Sequence, residues 1–265
     1  WTELVRRESR FEGEGRATAD GMVVGGDTPV GPHGKIGVFF GYTDEDIDLN
    51  DSSTTSAERF TAALYGRYEF TRCFIEGVAG AGYAMLENER SVGIPGAVGA
   101  AKSDTDSDEQ FASLRVGYPM LLAGKLKLTP YAGVQYVSWN ADAFEEEGAG
   151  DADLSVHAQS GDSFASRLGA SVAVPFVSKS VTITPRFDLA WRHEFIDDAR
   201  EVSADLGGGS FTVRGESPST DGLIAGFGLD ASFGPDITAY ATVAGEWATA
   251  ADKAYEARAG VQFRF

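Results

Sequence analysis

Several short stretches of the chain contain residue types that carry chemistry in other proteins. Gly161-Asp162-Ser163-Phe164 resembles the block around the nucleophilic serine of some esterases. Such enzymes need a histidine with an aspartate close before it, on an α/β scaffold, and none of the three histidines has an Asp three positions upstream. The block also opens a predicted β-strand. The sequence therefore predicts that Ser163 is not a catalytic nucleophile.

Two further patterns resemble functional motifs, but the surrounding sequence lacks what those motifs require. Gly226-x-Gly228-x-x-Ala231 has the spacing of a dinucleotide-binding loop, but a Gly-Pro turn follows it instead of the required helix. His193 beside Glu194 has the residue types of an acid–base pair, yet a lone pair of this kind is usually a structural contact at a rim. The three histidines are scattered and lack metal-ligand spacing. We therefore predict no enzyme, no cofactor and no metal site.

Acidic charge dominates the composition. Lys and Arg number 22 against 40 Asp and Glu, a net charge of −18, which excludes nucleic acid as a partner because phosphates would be repelled. Two acidic runs, Asp44-Glu45-Asp46 and Glu145-Glu146-Glu147, have residue types that suit weak Ca²⁺ binding or cation bridges to lipopolysaccharide. We interpret them as solvated loop charge, with cation binding as the alternative.

Hydrophobicity alternates with a period of two residues over much of the chain. From Val181 to Phe195 the odd positions are mostly apolar and the even positions mostly polar or charged. The alternation recurs at Phe60 to Phe70, Phe164 to Phe176, Leu223 to Phe233, Ile237 to Trp247 and Tyr255 to Phe265. The polar face mixes Arg with Asp and Glu along runs longer than sandwich strands. This favours a barrel with a charged interior over a soluble sandwich.

These segments predict an all-β fold: a closed antiparallel transmembrane β-barrel of about twelve strands. Strands of roughly 11 to 17 residues can cross a bilayer, and no apolar run reaches the roughly 18 residues that a membrane helix needs. An even strand number brings both termini to one side, here assigned to the periplasm. The predicted strands begin near Trp1, Ala17, Lys35, Ala57, Cys73, Ser107, Leu126, Gly161, Val181, Thr220, Asp236 and Asp252.

The predicted connections alternate between short and long. Short turns lie at Thr28 to Gly34, Thr71-Arg72, Ala123 to Lys125, Ser178 to Ser180 and Gly234 to Asp236. Long acidic loops rich in Gly and Ser are predicted at Asp44 to Ser56, Arg90 to Asp106, Asp142 to Ser160 and Asp198 to Ser219. Short periplasmic turns and long outer loops are typical of outer-membrane barrels.

A few aromatic residues fall on the inward parity of their strands. They are Phe74, Tyr131 and Trp139. A bulge could re-phase the last two. Alternatively, Tyr131 packs inward over Gly80 and Gly82, where the missing Cβ leaves room for a ring. The sequence leaves both alternatives open.

Five segments give the chain a specific resemblance over its whole length. They are Leu128 to Tyr136 (LTPYAGVQY), Ser163 to Ser171 (SFASRLGAS), Ile183 to Phe195 (ITPRFDLAWRHEF), Gly207 to Val213 (GGGSFTV) and Ala259 to Phe265 (AGVQFRF). On these segments the chain resembles the C-terminal translocator (β) domain of monomeric autotransporters, the type V secretion family. The resemblance implies a twelve-stranded barrel in the bacterial outer membrane that anchors an N-terminal passenger and helps bring it to the cell surface.

The resemblance also implies a domain organisation and partners. Residues 1–265 are expected to be one translocator domain, with the family's linker helix and passenger upstream of it. The expected partners are outer-membrane lipid and lipopolysaccharide, the outer-membrane insertion machinery and the chain's own passenger in cis. The barrel is expected to be a monomer.

Inward parity selects the residues expected to line the lumen. They are Arg67, Glu69, Glu76, Arg115, Arg167, Arg186, Asp188, Arg192, Glu246, Glu256, Arg258 and Arg264. In a translocator this surface accommodates a peptide in transit. A passive porin or a structural barrel would have a similar interior, and the residues alone do not separate these alternatives from a translocator.

The last predicted strand carries a terminal aromatic pattern on its outward face. The residues are Tyr255, Val261, Phe263 and Phe265. The pattern resembles the signal that the outer-membrane insertion machinery reads. The alternative is plain packing against lipid.

Overall fold

The computed structural model describes residues 1–11, 15–49, 53–94, 97–122, 124–197, 199, 201–215, 217–249 and 252–264. Twelve long strands dominate it: β1 (Thr2–Phe11), β2 (Gly15–Val30), β3 (Gly34–Leu49), β4 (Ser53–Glu69), β5 (Phe74–Ile94), β6 (Ala97–Gly117), β7 (Lys127–Ala141), β8 (Gln159–Ala173), β9 (Val181–Glu194), β10 (Asp221–Phe233), β11 (Ile237–Ala248) and β12 (Lys253–Phe263). Two-residue strands at Met120–Leu121 and Phe176–Val177 pair with β7 and β9. The described residues contain one 3₁₀ turn, Gly150–Ala152, and no helix long and apolar enough to span a bilayer.

The sheet closes on itself. Each long strand pairs antiparallel with the next, and β1 pairs with β12 from Thr2↔Val261 to Arg10↔Lys253. Trp1 and the end of β12 lie at the end of the barrel where the turns are short, here called the short-turn end. The opposite end, here called the long-loop end, carries the longest connections. The predicted closed barrel of twelve antiparallel strands is confirmed.

Alternation in the sequence sorts side chains between the two faces of the barrel wall. In β3 the outward residues Ile36, Val38 and Phe40 are 44–60% exposed. The intervening Gly37 is buried, and its position is covered by the ring of Tyr65 from β4. An apolar outer band with small and polar residues inside is the arrangement that a bilayer requires of a barrel.

Aromatic rings flank the apolar band at both ends. At the short-turn end the ring centroids of Tyr68 and Phe70 lie 4.8 Å apart. At the long-loop end His193 lies between Trp191 and Phe195, with centroid distances of 5.6 and 4.8 Å. Such rings occupy the two lipid–water interfaces of membrane barrels.

Two hairpins continue far beyond the apolar band. The ladder between β3 and β4 extends to Asp48↔Thr54, and that between β5 and β6 extends to Ile94↔Ala97. Nine residues at about 3.3 Å each carry β5 about 30 Å past Met85, its last large apolar outward residue.

The predictions of long loops at Asp44 to Ser56 and Arg90 to Asp106 are therefore wrong. The predicted strand starts at Ala57 and Ser107 are late for the same reason, since β4 and β6 begin at Ser53 and Ala97. Outside the membrane both faces of a hairpin contact water, so the backbone ladder persists while the hydrophobic period disappears.

The other two predicted long connections are present, and they pair with each other. Residues 142–158 follow β7 and residues 195–220 follow β9. They form a four-stranded sheet, here called the loop sheet, from Phe144–Glu145, Ser155–Val156, Glu201–Leu206 and Gly209–Arg214.

Polar contacts stabilise the loop sheet internally and connect it to the tall hairpin of β5 and β6. His157 Nε2 lies 2.9 Å from Asp205 Oδ2, and the hydroxyl of Ser210 also donates to Asp205. Arg90 of β5 makes a two-pronged contact with the mostly buried carboxylate of Glu146 and donates to the carbonyl of residue 152 at 2.9 Å. The loop sheet is therefore attached to the barrel by directed contacts.

Closure of the barrel predicts heat-modifiable migration. All strand edges of a closed barrel are paired, so dodecyl sulfate at room temperature should not unfold it. We expect the unboiled protein to migrate faster than the boiled protein on a dodecyl sulfate gel. Identical migration, or a monodisperse protein in the absence of detergent, would contradict the barrel.

The contacts of Asp205 predict a specific titration. The hydrogen bond from Ser210, followed by the contact with His157, lowers the pKa of this carboxyl. The stability that these contacts give the loop sheet is complete above about pH 3.9, the unfolded value, and is lost as the pH falls through the lower folded value. NMR titration of the protein in detergent should show an Asp205 midpoint below about 3.9. Ser210→Ala should raise the midpoint more than His157→Gln, and a midpoint that Ser210→Ala leaves unchanged would contradict the assignment.

Candidate functional site

The interior face of the barrel carries paired charges of both signs. The twelve residues predicted to line the lumen share the parity of this face, and eleven lie within β-strands while Arg264 follows the end of β12. Most of them contact an oppositely charged side chain on the same strand or on a strand one or two positions away. The pairs are Arg67 with Glu69 and Glu76, Arg115 with Glu76, Arg186 with Asp230, Arg192 with Glu194 and Glu246, and Arg258 with Glu3 and Glu256.

One group of charges lies near the short-turn end and is here called the arginine wall: Arg67, Glu76, Arg115, Tyr131 and Arg167. Arg67 Nη1 lies 2.7 Å from Glu76 Oε2, and Arg115 contacts the other oxygen of the same carboxylate. The guanidinium of Arg115 lies 5.1 Å from the ring centroid of Tyr131. This geometry ties β4, β5, β6 and β7 together on the inside of the barrel.

A second group surrounds Glu194 at the long-loop end. Glu194 is 3% exposed and accepts hydrogen bonds from Ser163 Oγ at 2.7 Å, the backbone N–H of residue 164 at 2.8 Å and Arg192 Nη2 at 2.7 Å. Arg192 Nη1 also lies 3.5 Å from Glu246 Oε1. A buried carboxylate with several donors joins β8, β9 and β11 where the chain leaves the membrane.

The seam where the barrel closes has its own polar contacts, which join Glu3 and Tyr240 to the predicted lumen residue Arg258. Tyr240 of β11 reaches across β12 and donates to Glu3 Oε2 of β1 at 2.8 Å. Its ring passes over Gly260, where a Cβ would lie 2.5 Å from the ring. Arg258 Nη1 lies 3.6 Å from Glu3 Oε1. Glu3 and Tyr240 were not among the predicted lumen residues, and inward parity was the signal that could have identified them.

Inward aromatic rings cover glycines elsewhere in the barrel as well. Tyr131 faces inward, so the bulge alternative is wrong, and its ring covers Gly169 of β8 rather than Gly80 and Gly82. Its hydroxyl donates to Asp188 Oδ1 at 2.8 Å. The ring over Gly80 belongs to Phe111. The sequence predicted the inward direction in one alternative but not the glycine, because strand register decides which glycine is adjacent.

Trp139 and Phe74 behave in the same way. The indole of Trp139 lies over Gly161, and the ring of Phe74 covers Gly117. The guanidinium of Arg67 lies 3.6 Å from the centroid of the Phe74 ring. Both inward assignments therefore have a neighbouring glycine that accommodates the ring.

The residues considered for catalysis have structural partners. Ser163 donates to Glu194, a carboxylate acceptor that is itself bound to Arg192. His193 faces the exterior, where its Nδ1 lies 3.0 Å from Asp221 Oδ1. His193 and its sequence neighbour Glu194 therefore lie on opposite faces of β9.

The outward face of β12 carries three of the four residues predicted as an assembly signal. Tyr255 and Phe263 are exposed to the surroundings of the barrel, and Val261 is half-buried between them. Phe265 lies outside the described residues.

A closed twelve-stranded barrel with an apolar outer band and a charged interior defines an outer-membrane β-barrel. A sequence model of one family of such barrels, the autotransporter β-domain, matches residues 5–244. The chain belongs to this family and is a protein of the bacterial outer membrane.

Similar proteins are known by sequence. The chain is 24% identical over 245 residues to an extracellular serine protease of Serratia marcescens, covering 88% of this chain and 23% of that protein. It is 23% identical over 207 residues to outer membrane protein A of Rickettsia conorii, covering 73% of this chain and 10% of that protein. The chain thus spans less than a quarter of the length of these curated relatives.

Solved structures share the fold. The translocator domain of the autotransporter NalP from Neisseria meningitidis aligns with a TM-score of 0.81 at 18% identity, covering 100% of this chain and 87% of that chain. The β domain of the Bordetella autotransporter BrkA aligns with a TM-score of 0.75 at 17% identity, covering 100% and 98%. At these identities the likeness shows the fold.

The buried position of Glu194 predicts a large effect on stability. Glu194→Ala removes the acceptor for Ser163 and Arg192 and should lower the free energy of unfolding by about 3 kcal/mol. Urea unfolding in detergent, followed by heat-modifiable migration, measures this change. Glu69→Ala is the matched control, since the Glu69 side chain is 62% exposed and its contact with Arg67 contributes less than about 1 kcal/mol. Equal effects of the two variants would contradict the role of Glu194.

Proposed function

We propose that this chain anchors an N-terminal passenger in the outer membrane and helps to translocate it to the cell surface. The observation that carries the proposal is the family match over residues 5–244 on a closed twelve-stranded barrel with a hydrophilic interior. Residues 1–265 form the translocator domain in this proposal, and the passenger precedes them in the same polypeptide. The greater length of the curated relatives supports this organisation.

The charged interior is the surface that a polypeptide meets in transit. Its twelve proposed lining residues carry both signs of charge, and most of them pair with an opposite charge on the interior face, as Arg186 does with Asp230 at 2.8 Å and Arg258 with Glu256 at 2.7 Å. Paired charges beside water avoid the energetic cost of isolated buried ions, and they offer no continuous apolar strip on which an unfolded chain would adhere. A barrel of twelve strands is also wider than the roughly eight-stranded barrels whose interiors side chains can fill.

The proposed partners follow from the two faces of the wall. Lipid and lipopolysaccharide contact the apolar outer band, and the insertion machinery reads the terminal strand. We propose a monomer, because the closed sheet leaves no strand edge for a second copy. Both termini lie in the periplasm, which places the loop sheet outside the cell.

The proposed function predicts that surface exposure of an upstream segment depends on the barrel. An epitope inserted upstream of Trp1 in the full-length protein should be cleaved by protease added to intact cells. Deletion of Lys253–Phe263 removes the strand that closes the barrel on β1 and should abolish this cleavage. An epitope that stays protected while the barrel inserts and conducts ions would favour the porin alternative.

The proposed signal on the last strand predicts a difference between cells and detergent. Phe265→Ser should strongly reduce the heat-modifiable barrel in outer-membrane fractions and leave refolding in detergent unchanged, because only cells contain the insertion machinery. Phe233→Ser is the matched control, since Phe233 is an outward aromatic at the short-turn end of β10. Normal insertion of Phe265→Ser in cells would contradict the signal. Loss in both assays would favour plain packing against lipid.

A further inference from the structure

The arginine wall contains more positive charge than its own carboxylates neutralise. Arg67 and Arg115 share the single carboxylate of Glu76. Arg167 of β8, next to them, is exposed on the interior face and forms no hydrogen bond or ion pair with the described residues. Asp188, the acid on the next strand, accepts from the hydroxyl of Tyr131 at 2.8 Å. Arg67 also contacts Glu69 at 3.1 Å, so the three guanidinium groups have two carboxylates, Glu69 and Glu76, as ion-pair partners.

These groups border a cavity of about 530 Å³ on the inside of the barrel. Its lining includes Lys35, Tyr65, Arg67, Arg115, Gln135 and Arg167. Lys35 Nζ lies 3.3 Å from Asp27 Oδ2, so this ammonium has a partner. Gly133 also lines the cavity, and a Cβ there would lie 2.9 Å from the carbonyl oxygen of residue 114. Gly133 lies on β7, between the strands of Arg115 and Arg167. Because Gly133 has no side chain, both guanidinium groups are accessible from the cavity.

We propose that this cavity is a binding site for oxyanions, with the guanidinium of Arg167 as its main ligand. A guanidinium presents a planar fork of N–H donors that matches a carboxylate or a phosphate, and such charge-assisted bonds are stronger than neutral ones. Arg115 adds a second positive charge, and the side-chain amide of Gln135 adds a donor. The guanidinium of Arg167 has no ion-pair partner among the described residues, which leaves its N–H donors available to a ligand.

Two sources supply this ligand chemistry. One is the acidic side chains of a polypeptide inside the barrel, and this source rests on the proposed translocation function. The other is a free phosphate species that enters from water. Binding measured on the purified protein does not depend on translocation, so failure of the site and failure of the proposed function are distinguishable.

Calorimetric titration of the protein in detergent tests the site with two probes, hexaglutamate and inorganic tripolyphosphate, and with hexalysine as the negative probe. Arg167→Gln should weaken oxyanion binding about tenfold, the loss expected when one charge-assisted contact is removed. Arg167→Lys keeps the charge and should retain part of the affinity. Arg6→Gln is the matched control, because Arg6 pairs with Asp20 on the outer face at 3.0 Å.

A second variant keeps the proposal testable if Arg167→Gln does not fold. Gln135→Glu places a carboxylate in the same cavity and should weaken the binding of both anions. Heat-modifiable migration confirms that each variant folds. Binding of hexaglutamate alone assigns the site to acidic peptide, binding of tripolyphosphate alone assigns it to free phosphate, and binding of both assigns it to oxyanions in general. Absence of saturable binding by either probe, or affinities that neither Arg167→Gln nor Gln135→Glu changes, would overturn the proposal.

Discussion

The pairing of β1 with β12 is the interaction on which the rest of the structure depends. Inside a bilayer no water is available to satisfy an exposed N–H or C=O group, so a sheet with free edges would be unstable there. The ladder from Thr2↔Val261 to Arg10↔Lys253 removes both edges. Glu3, Tyr240 and Arg258 reinforce the seam from the inside, because their contacts cross three strands at the point where the two ends of the chain meet.

Closure also dictates what the interior is made of. The outer face has to be apolar, and alternation then assigns every second residue to an enclosed space that is too wide for side chains to fill. Charged residues in that space pair across neighbouring strands, and inward rings lie over glycines, as Tyr131 does over Gly169. The ion pairs and the ring–glycine contacts stabilise the barrel wall from the inside without a continuous hydrophobic core.

The long-loop end follows different rules because water surrounds it. The hairpins of β3–β4 and β5–β6 keep their ladders with polar residues on both faces, and the loop sheet is attached to the taller hairpin through Arg90 and Glu146. In the proposed orientation these elements form the part of the barrel that a passenger meets as it emerges. Their stability comes from directed polar contacts, which respond to pH and salt more than the lipid-facing band does.

The sequence by itself determined the fold class, the strand number and the face of each strand, since a period of two residues is a local property that lipid on one side makes strict. The sequence also indicated the family, and it indicated that residues such as Arg67 and Arg186 face the interior. The tertiary structure decided everything that depends on register. It decided which carboxylate each arginine contacts, and that the ring of Tyr131 covers Gly169. It also decided that the buried Glu194 accepts a hydrogen bond from Ser163, and that Arg167 has no acidic partner among the described residues. It also decided where strands end beyond the membrane. There hydrophobicity no longer alternates, and only backbone pairing distinguishes a hairpin from a loop.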